Sequence, residues 1–264
     1  MTYDHIIVEH QAPIAAITLN RPDAMNALTP EMLAEVLAAL NEIAAEPACN
    51  VVVMSGAGRA FCAGGDIAAM ANWQENSDTS VLESHLGTVE KVVTLLRTMP
   101  QPVIAAVNGP AAGGGMNMAL ACDMRLGCEK TLFSESFIKI GLIPDWGGFE
   151  SLTRIVGGAK AMELMMTGDR IGAEEAYRLG LLNQLWPLDG FQDQVRAFAE
   201  RLASGPPQAL AAIKRGIQGA TEAALRAALD FEHRTQATLI LSDDAREGMQ
   251  AFLEKRPPAF GAKK

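Results

Sequence analysis

Two glycine clusters and one aspartate hold most of the chemical potential of this sequence. Gly64-Gly65 ends the stretch Arg59-Ala60-Phe61-Cys62-Ala63, and Gly113-Gly114-Gly115 ends a second small-residue loop; each leads into an expected helix. A glycine loop entering a helix offers unpaired backbone N–H groups and the positive end of the helix dipole, so it can hold an anion or a developing oxyanion. Without side chains, a ligand can also reach that backbone. One such loop alone is explained as well by a tight turn or a close strand–helix contact. Asp145 stands between Pro144 and Trp146-Gly147-Gly148. An apolar neighbourhood there would raise its pKa and suit it to general-base work; capping the next helix is the alternative job for an aspartate.

Other chemistries find little support. Phe61 sits where a dinucleotide fingerprint beginning at Gly56-x-Gly58 needs its third glycine, and neither loop carries the Gly-Lys-Ser/Thr of a phosphate-binding loop. None of His5, His10, His85 and His233 adjoins a serine or cysteine in a nucleophile motif, so each is expected as a surface or core histidine. Cys49, Cys62, Cys122 and Cys128 form no CxxC pair and no metal-ligand spacing with histidine, which leaves reduced thiols and no metal site. Glu90 and Glu135 are further carboxylates, both expected at the surface, either of them a candidate second proton-transfer group.

The elements that must position these residues follow from periodicity. Ile6–Val8 and Ile14–Leu19 flank Gln11-Ala12-Pro13 as a hairpin, and Thr29-Pro30 opens a helix with the stripe Met32, Leu33, Val36, Leu37, Leu40. Val51–Met54 and Val103–Val107 are short buried strands, each running into a glycine loop and then a helix, near Asp66 and near Met116. A helix over Val81–Arg97 ends at Met99-Pro100-Gln101-Pro102. Strands at Met124–Cys128 and Thr131–Ser134 precede the Gly141–Gly148 loop; beyond Phe149 the chain reads as helix except near Asn183–Trp186. Strand alternating with helix predicts an α/β fold.

The 264 residues, 49% hydrophobic, suffice for one large core with a helical appendage. No run approaches the roughly 18 apolar residues of a membrane span, and Asp4 and Glu9 stand where a secretory leader needs a basic start, so no membrane partner and a cytoplasmic location are expected. The formal net charge of −9 disfavours a nucleic-acid partner. A polyanionic ligand would have to be met locally by Arg21, Arg59 or Lys255-Arg256.

Several separated motifs, in order, resemble the crotonase (enoyl-CoA hydratase/isomerase) superfamily: Asn20-Arg21-Pro22 with Asn26-Ala27-Leu28, Arg59 through Ile67, Ala105 through Gly115, and Gly141-Leu142-Ile143-Pro144 leading to Gly147-Gly148. The resemblance runs over essentially the whole chain, including the tail Phe252–Arg256. It implies a crotonase-like spiral of ββα units over residues 1–200, with a C-terminal helical region, residues 201–264, packing on the core and on neighbouring subunits of a homotrimer or dimer of trimers. It implies an acyl-CoA substrate, with coenzyme A as part of that substrate and no separate cofactor. The N–H groups of Gly65 and Gly114 would form an oxyanion hole for the thioester. Met25, Ala63, Gly64, Asp66 and Ile67 would lie along the CoA, with Phe252 and Lys255 approaching from the tail, and the stretch 69–88 would shape the acyl pocket.

This chain departs from the hydratase pattern at both glutamates: the matching positions hold Asn117 and Phe137, neither of which exchanges protons near neutrality. Asp145 instead resembles the acid/base aspartate of the Pro-Asp subgroup, which includes the isomerase of the phenylacetyl-CoA pathway. One carboxylate suffices to move a proton between C2 and C4 of an enoyl-CoA, so an enoyl-CoA isomerase is the first expectation. A hydratase with other acid/base groups is the alternative, as is an aroyl-CoA dehalogenase using Asp145 as nucleophile. Against the dehalogenase, its supporting tryptophan and histidine are replaced by Phe137 and Glu90. The acidic charge and intact loops speak against an RNA-binding relative.

Overall fold

The structure is a computed structural model that describes residues 3–76 and 79–261. Ile6–Gln11 (β1) and Ile14–Leu19 (β2) pair antiparallel, with Ile6 opposite Leu19. Along β2 the period-two alternation buries Ala15, Ile17 and Leu19. The Pro30–Ala44 helix (α1) starts as its sequence demands: Thr29 Oγ1 accepts from the Met32 N–H at 3.3 Å, proline occupies the first turn, and Met32, Leu33, Val36, Ala39, Leu40 and Ile43 are buried. Val51–Gly56 (β3) leads through the first glycine loop to Ile67–Glu75 (α2), which Asp66 caps by accepting from the Ala69 N–H.

Thr79–Thr98 (α3) begins two residues before its expected start. Val103–Val107 (β4) is buried at every position, then Pro110–Ala112 (β5) and the second glycine loop enter Gly114–Ala121 (α4). That helix was expected from Met116; the Asn117 N–H already bonds the Gly113 carbonyl at 3.0 Å, which closes its first turn on the glycines. Met124–Cys128 (β6) and Leu132–Ser134 (β7) precede a 3-10 turn at Ser136–Ile140, followed by Gly148–Val156 (α5) and Gly158–Thr167 (α6). Arg170–Gly172 (β8), Ala173–Arg178 (α7) and Gln184–Trp186 (β9) lead to the terminal helices Phe191–Ala203 (α8), Pro207–Gly219 (α9), Glu222–Leu239 (α10) and Asp243–Leu253 (α11).

The larger sheet has the order β1-β2-β3-β4-β6-β9, parallel from β2 onward, and the smaller one β5-β7-β8. The fold is thus the α/β spiral expected. β5 and β8, three residues each, were not anticipated from the sequence. Of the terminal helices, α10 packs on α3 and α5, and α11 on α2 and the 3-10 turn. No helix among the described residues is long and apolar enough to cross a membrane. All four cysteines are free and buried.

Candidate active site

The glycine loops are held by two asparagines. Asn26 is fully buried with left-handed backbone, φ 57°. Its Oδ1 accepts from the Arg21 N–H at 2.9 Å, and its Nδ2 reaches the carbonyls of Ala57 and Ala60, both at 2.9 Å, and of Phe61 at 3.2 Å. Asn108, which precedes the second loop, ties it to the start of the first: its Nδ2 donates to the carbonyls of Gly56 at 2.9 Å and Gly58 at 3.1 Å, and its Oδ1 accepts from the Gly56 N–H. Parallel bridges Leu28–Gly65 and Cys62–Ala111 lay the segments side by side. A Cβ on Gly64, whose φ is 97°, would stand 2.7 Å from the Ala112 carbonyl oxygen, and one on Gly115 would overlap the Cys62 carbonyl. The loops therefore pack backbone on backbone, which only glycine permits.

That network uses the N–H groups of Leu28, Ala63, Asp66, Ala112 and Gly113, but among the described residues no backbone bond in it uses those of Gly65 or Gly114. Both glycines line a cavity of about 410 Å³. Cys62 is a packed core residue: its Sγ contacts the Asn26 carbonyl at 3.1 Å, and burial pushes its thiol up to about 12.

Asp145 lines the same cavity. A Cβ on Gly114 would lie 2.8 Å from the indole nitrogen of Trp146, so the residue after Asp145 packs directly on the second loop. The Asp145 carbonyl accepts from Asn117 Nδ2 at 2.9 Å, and its Oδ2 from Gln236 Nε2 at 3.3 Å. Its Oδ1 is sheltered and has no partner in the protein. Burial pushes the carboxyl up to about 7, against the pull of the Gln236 bond. Asp145 does not cap α5; the Gly147 and Phe149 N–H groups there donate to Glu232 on α10, at 2.8 and 3.2 Å.

Glu135 corrects an expectation. It is fully buried rather than on the surface, because the 3-10 turn that follows it folds the chain inward. Its Oε2 accepts from Asn117 Nδ2 at 3.3 Å. Burial first, and the nearby Asp145 charge second, push it up to about 8. Glu232 is likewise pushed up to about 8 by burial. Glu90 is exposed as expected, 3.9 Å from His233. Of the two positions where family hydratases carry glutamate, Phe137 lines the cavity and Asn117 lies buried beneath it, holding the Asp145 peptide.

Met25, Ala63, Gly64, Asp66, Ile67 and Phe252 line the cavity together with Gly65, Gly114 and Asp145. Lys255 does not: α11 ends just before it, and it sits exposed in a left-handed turn, φ 55°. Of the candidate cations, Arg59 lines the cavity, whereas Arg21 is engaged with Asp66 at 3.1 Å and Arg256 with Glu254 at 2.6 Å. From the stretch 69–88, Met70, Trp73, Leu82, His85 and Leu86 reach the cavity; residues 77 and 78 lie outside the described part. Glu232 and Gln236 were not anticipated. Their signal was a polar continuation, at helical spacing, of the buried Leu225–Leu229 stripe.

A family model described as enoyl-CoA hydratase/isomerase matches residues 9–263. A probable enoyl-CoA hydratase of Rhodobacter capsulatus is 43% identical over 260 residues, 98% of this chain and 99% of its own. The crotonyl-CoA hydratase of Syntrophomonas wolfei is 35% identical over 266 residues, the full length of both. The crystal structure of an enoyl-CoA hydratase from Mycobacterium avium subsp. paratuberculosis aligns with a TM-score of 0.90 and 34% identity, covering 98% of this chain and 99% of that one. With likeness of sequence and of fold both running almost end to end, the chain belongs to the enoyl-CoA hydratase/isomerase family of acyl-CoA enzymes.

Proposed function

We propose that this chain shifts the double bond of a 3-enoyl-CoA to the 2-position, as a member of the Pro-Asp subgroup. The observation that carries the reading is Asp145: it lines the cavity with Gly65 and Gly114, with one carboxylate oxygen left without a protein partner. The other lining carboxylates, Asp23 and Asp66, belong to the loop segments, and Asp66 is paired with Arg21.

In the reaction, the thioester oxygen accepts from the N–H groups of Gly65 and Gly114. The Asp145 carboxylate takes a proton from C2, and the electron pair moves into the C1–C2 bond while negative charge collects on the oxygen. Collapse of this dienolate forms the C2=C3 bond as C4 takes the proton back from Asp145. Each oxyanion donor contributes about 2.7–4 kcal/mol to the barrier reduction. A carboxyl that titrates near 7 suits both the removal and the return of the proton. Met25, Ala63, Gly64, Asp66, Ile67 and Phe252 would flank the CoA, with the cavity-lining Arg59 available to its phosphates. No cofactor beyond the CoA of the substrate enters this scheme, and the assembly is proposed as a homotrimer or dimer of trimers.

The names of the relatives favour a second reading, hydration of a 2-enoyl-CoA. It lacks a glutamate at Asn117 and Phe137, so Asp145 would have to activate water alone. Mass spectrometry of products from 3-enoyl- and 2-enoyl-CoA panels separates the two. Double-bond migration that Asp145→Asn abolishes is expected; 3-hydroxyacyl-CoA as the main product, or full activity in Asp145→Asn, would overturn the proposal.

A further inference from the structure

Among the polar groups that line the cavity, His85 is one that the isomerisation leaves unused. His85, on α3, lines it together with the apolar Met70, Trp73, Leu82, Leu86 and Ile240. The His85 and Trp73 rings lie 5.0 Å apart at an interplanar angle of 52°. Nδ1 of His85 is buried and has no partner in the protein. Burial alone lowers the imidazole to about 4, so the ring is neutral at physiological pH, with one nitrogen a donor and the other an acceptor. An unsatisfied buried polar atom is costly, and a wall meant only for hydrocarbon is better served by leucine.

We propose that the acyl group taken by this chain ends in a hydroxyl that hydrogen-bonds to His85 beside the Trp73 ring. The inference rests on the acyl-CoA reading of the cavity but not on which reaction follows. A hydroxyl donates and accepts, so it satisfies either tautomer, whereas a carboxylate would lose its hydration among apolar side chains and gain no cation from a neutral imidazole. A site with a polar group aimed at a substrate hydroxyl discriminates against the analogue lacking it, which an apolar pocket cannot do.

The test uses saturated thioesters, which separates binding from turnover. Calorimetry compares hexanoyl-CoA with 6-hydroxyhexanoyl-CoA, and phenylacetyl-CoA with 4-hydroxyphenylacetyl-CoA. The hydroxylated member of at least one pair is expected to bind about five- to tenfold more tightly. His85→Gln should keep most of that preference, and His85→Leu should lose it. Equal or weaker binding of both hydroxylated ligands, a preference that survives His85→Leu, or adipoyl-CoA as the tightest ligand would overturn the proposal. Failure to bind any of these thioesters would instead bring down the acyl-CoA reading of the cavity beneath it.

Discussion

The glycine loops and the surroundings of Asp145 contribute to one cavity by opposite means. The loops offer backbone N–H groups, fixed by Asn26 and Asn108 through hydrogen bonds to neighbouring main chain. Their cohesion comes from amide hydrogen bonds and from close backbone contact at the glycines. Around Asp145 the material is ionisable: Glu135 and Asp145 from one segment meet Glu232 from α10, and all three are shifted upward by burial. On the proposed reading, carbonyl activation is stored as geometry, whereas the choice of reaction is stored as electrostatics.

The sharpest way to break this division is Asp145→Asn. It should lower the turnover of a 3-enoyl-CoA about 1000-fold while leaving the calorimetric Kd for hexanoyl-CoA within about threefold. An equal loss in binding would mean that the two regions do not work separately. Gly114→Ala comes next. Its Cβ, 2.8 Å from the Trp146 indole nitrogen, must displace either the donor or the indole, and kcat should fall about 100-fold with the shape of the pH profile retained.

In the natural chain, kcat/KM should fall about tenfold between pH 8 and pH 6, since the proposed reaction needs Asp145 as the carboxylate and burial pushes that group up to about 7. A flat profile across that range would assign the base elsewhere. The smallest effect is on stability. Glu135, Asp145 and Glu232 have folded-state pKa values of about 8, 7 and 8, above their ordinary 4.5, 3.8 and 4.5. The folded protein therefore holds the extra protons between those limits. Their stabilising effect is complete at the acid end and is lost as pH rises through about 8. Thermal melts should drop by a few degrees from pH 6 to pH 8.5, and Glu135→Gln should flatten that slope.

The two regions also differed in how far they could be read beforehand. Each glycine loop is contiguous, and its strand, glycines and following helix announce themselves within about twenty residues. Asp145 was legible for the same reason, next to Pro144 and Gly147-Gly148. What governs its carboxyl was not. Gln236 meets it across 91 positions of sequence, and Glu232 reaches Gly147 across 85. Glu135 looked like an ordinary surface acid because nothing local reveals the buried Asn117 amide that meets it. Lys255 was expected near the CoA from the family resemblance of the tail; in the structure it sits in a left-handed turn just after α11 and is not among the residues lining the cavity. Local propensity found the elements, whereas burial of a polar side chain depends on partners that only the tertiary fold supplies.

The contribution of α10 has a consequence for timing during synthesis. A nascent chain that has emerged only as far as Thr221 already contains both glycine loops and Asp145, but neither Glu232 nor Gln236. The Gly147 and Phe149 N–H groups then lack their acceptor, and the aspartate lacks its amide donor. On the proposed reading, the parts that recognise a thioester are thus translated well before the parts that tune proton transfer. In that order, the emerging chain completes its reactive carboxylate setting only when its last helices arrive.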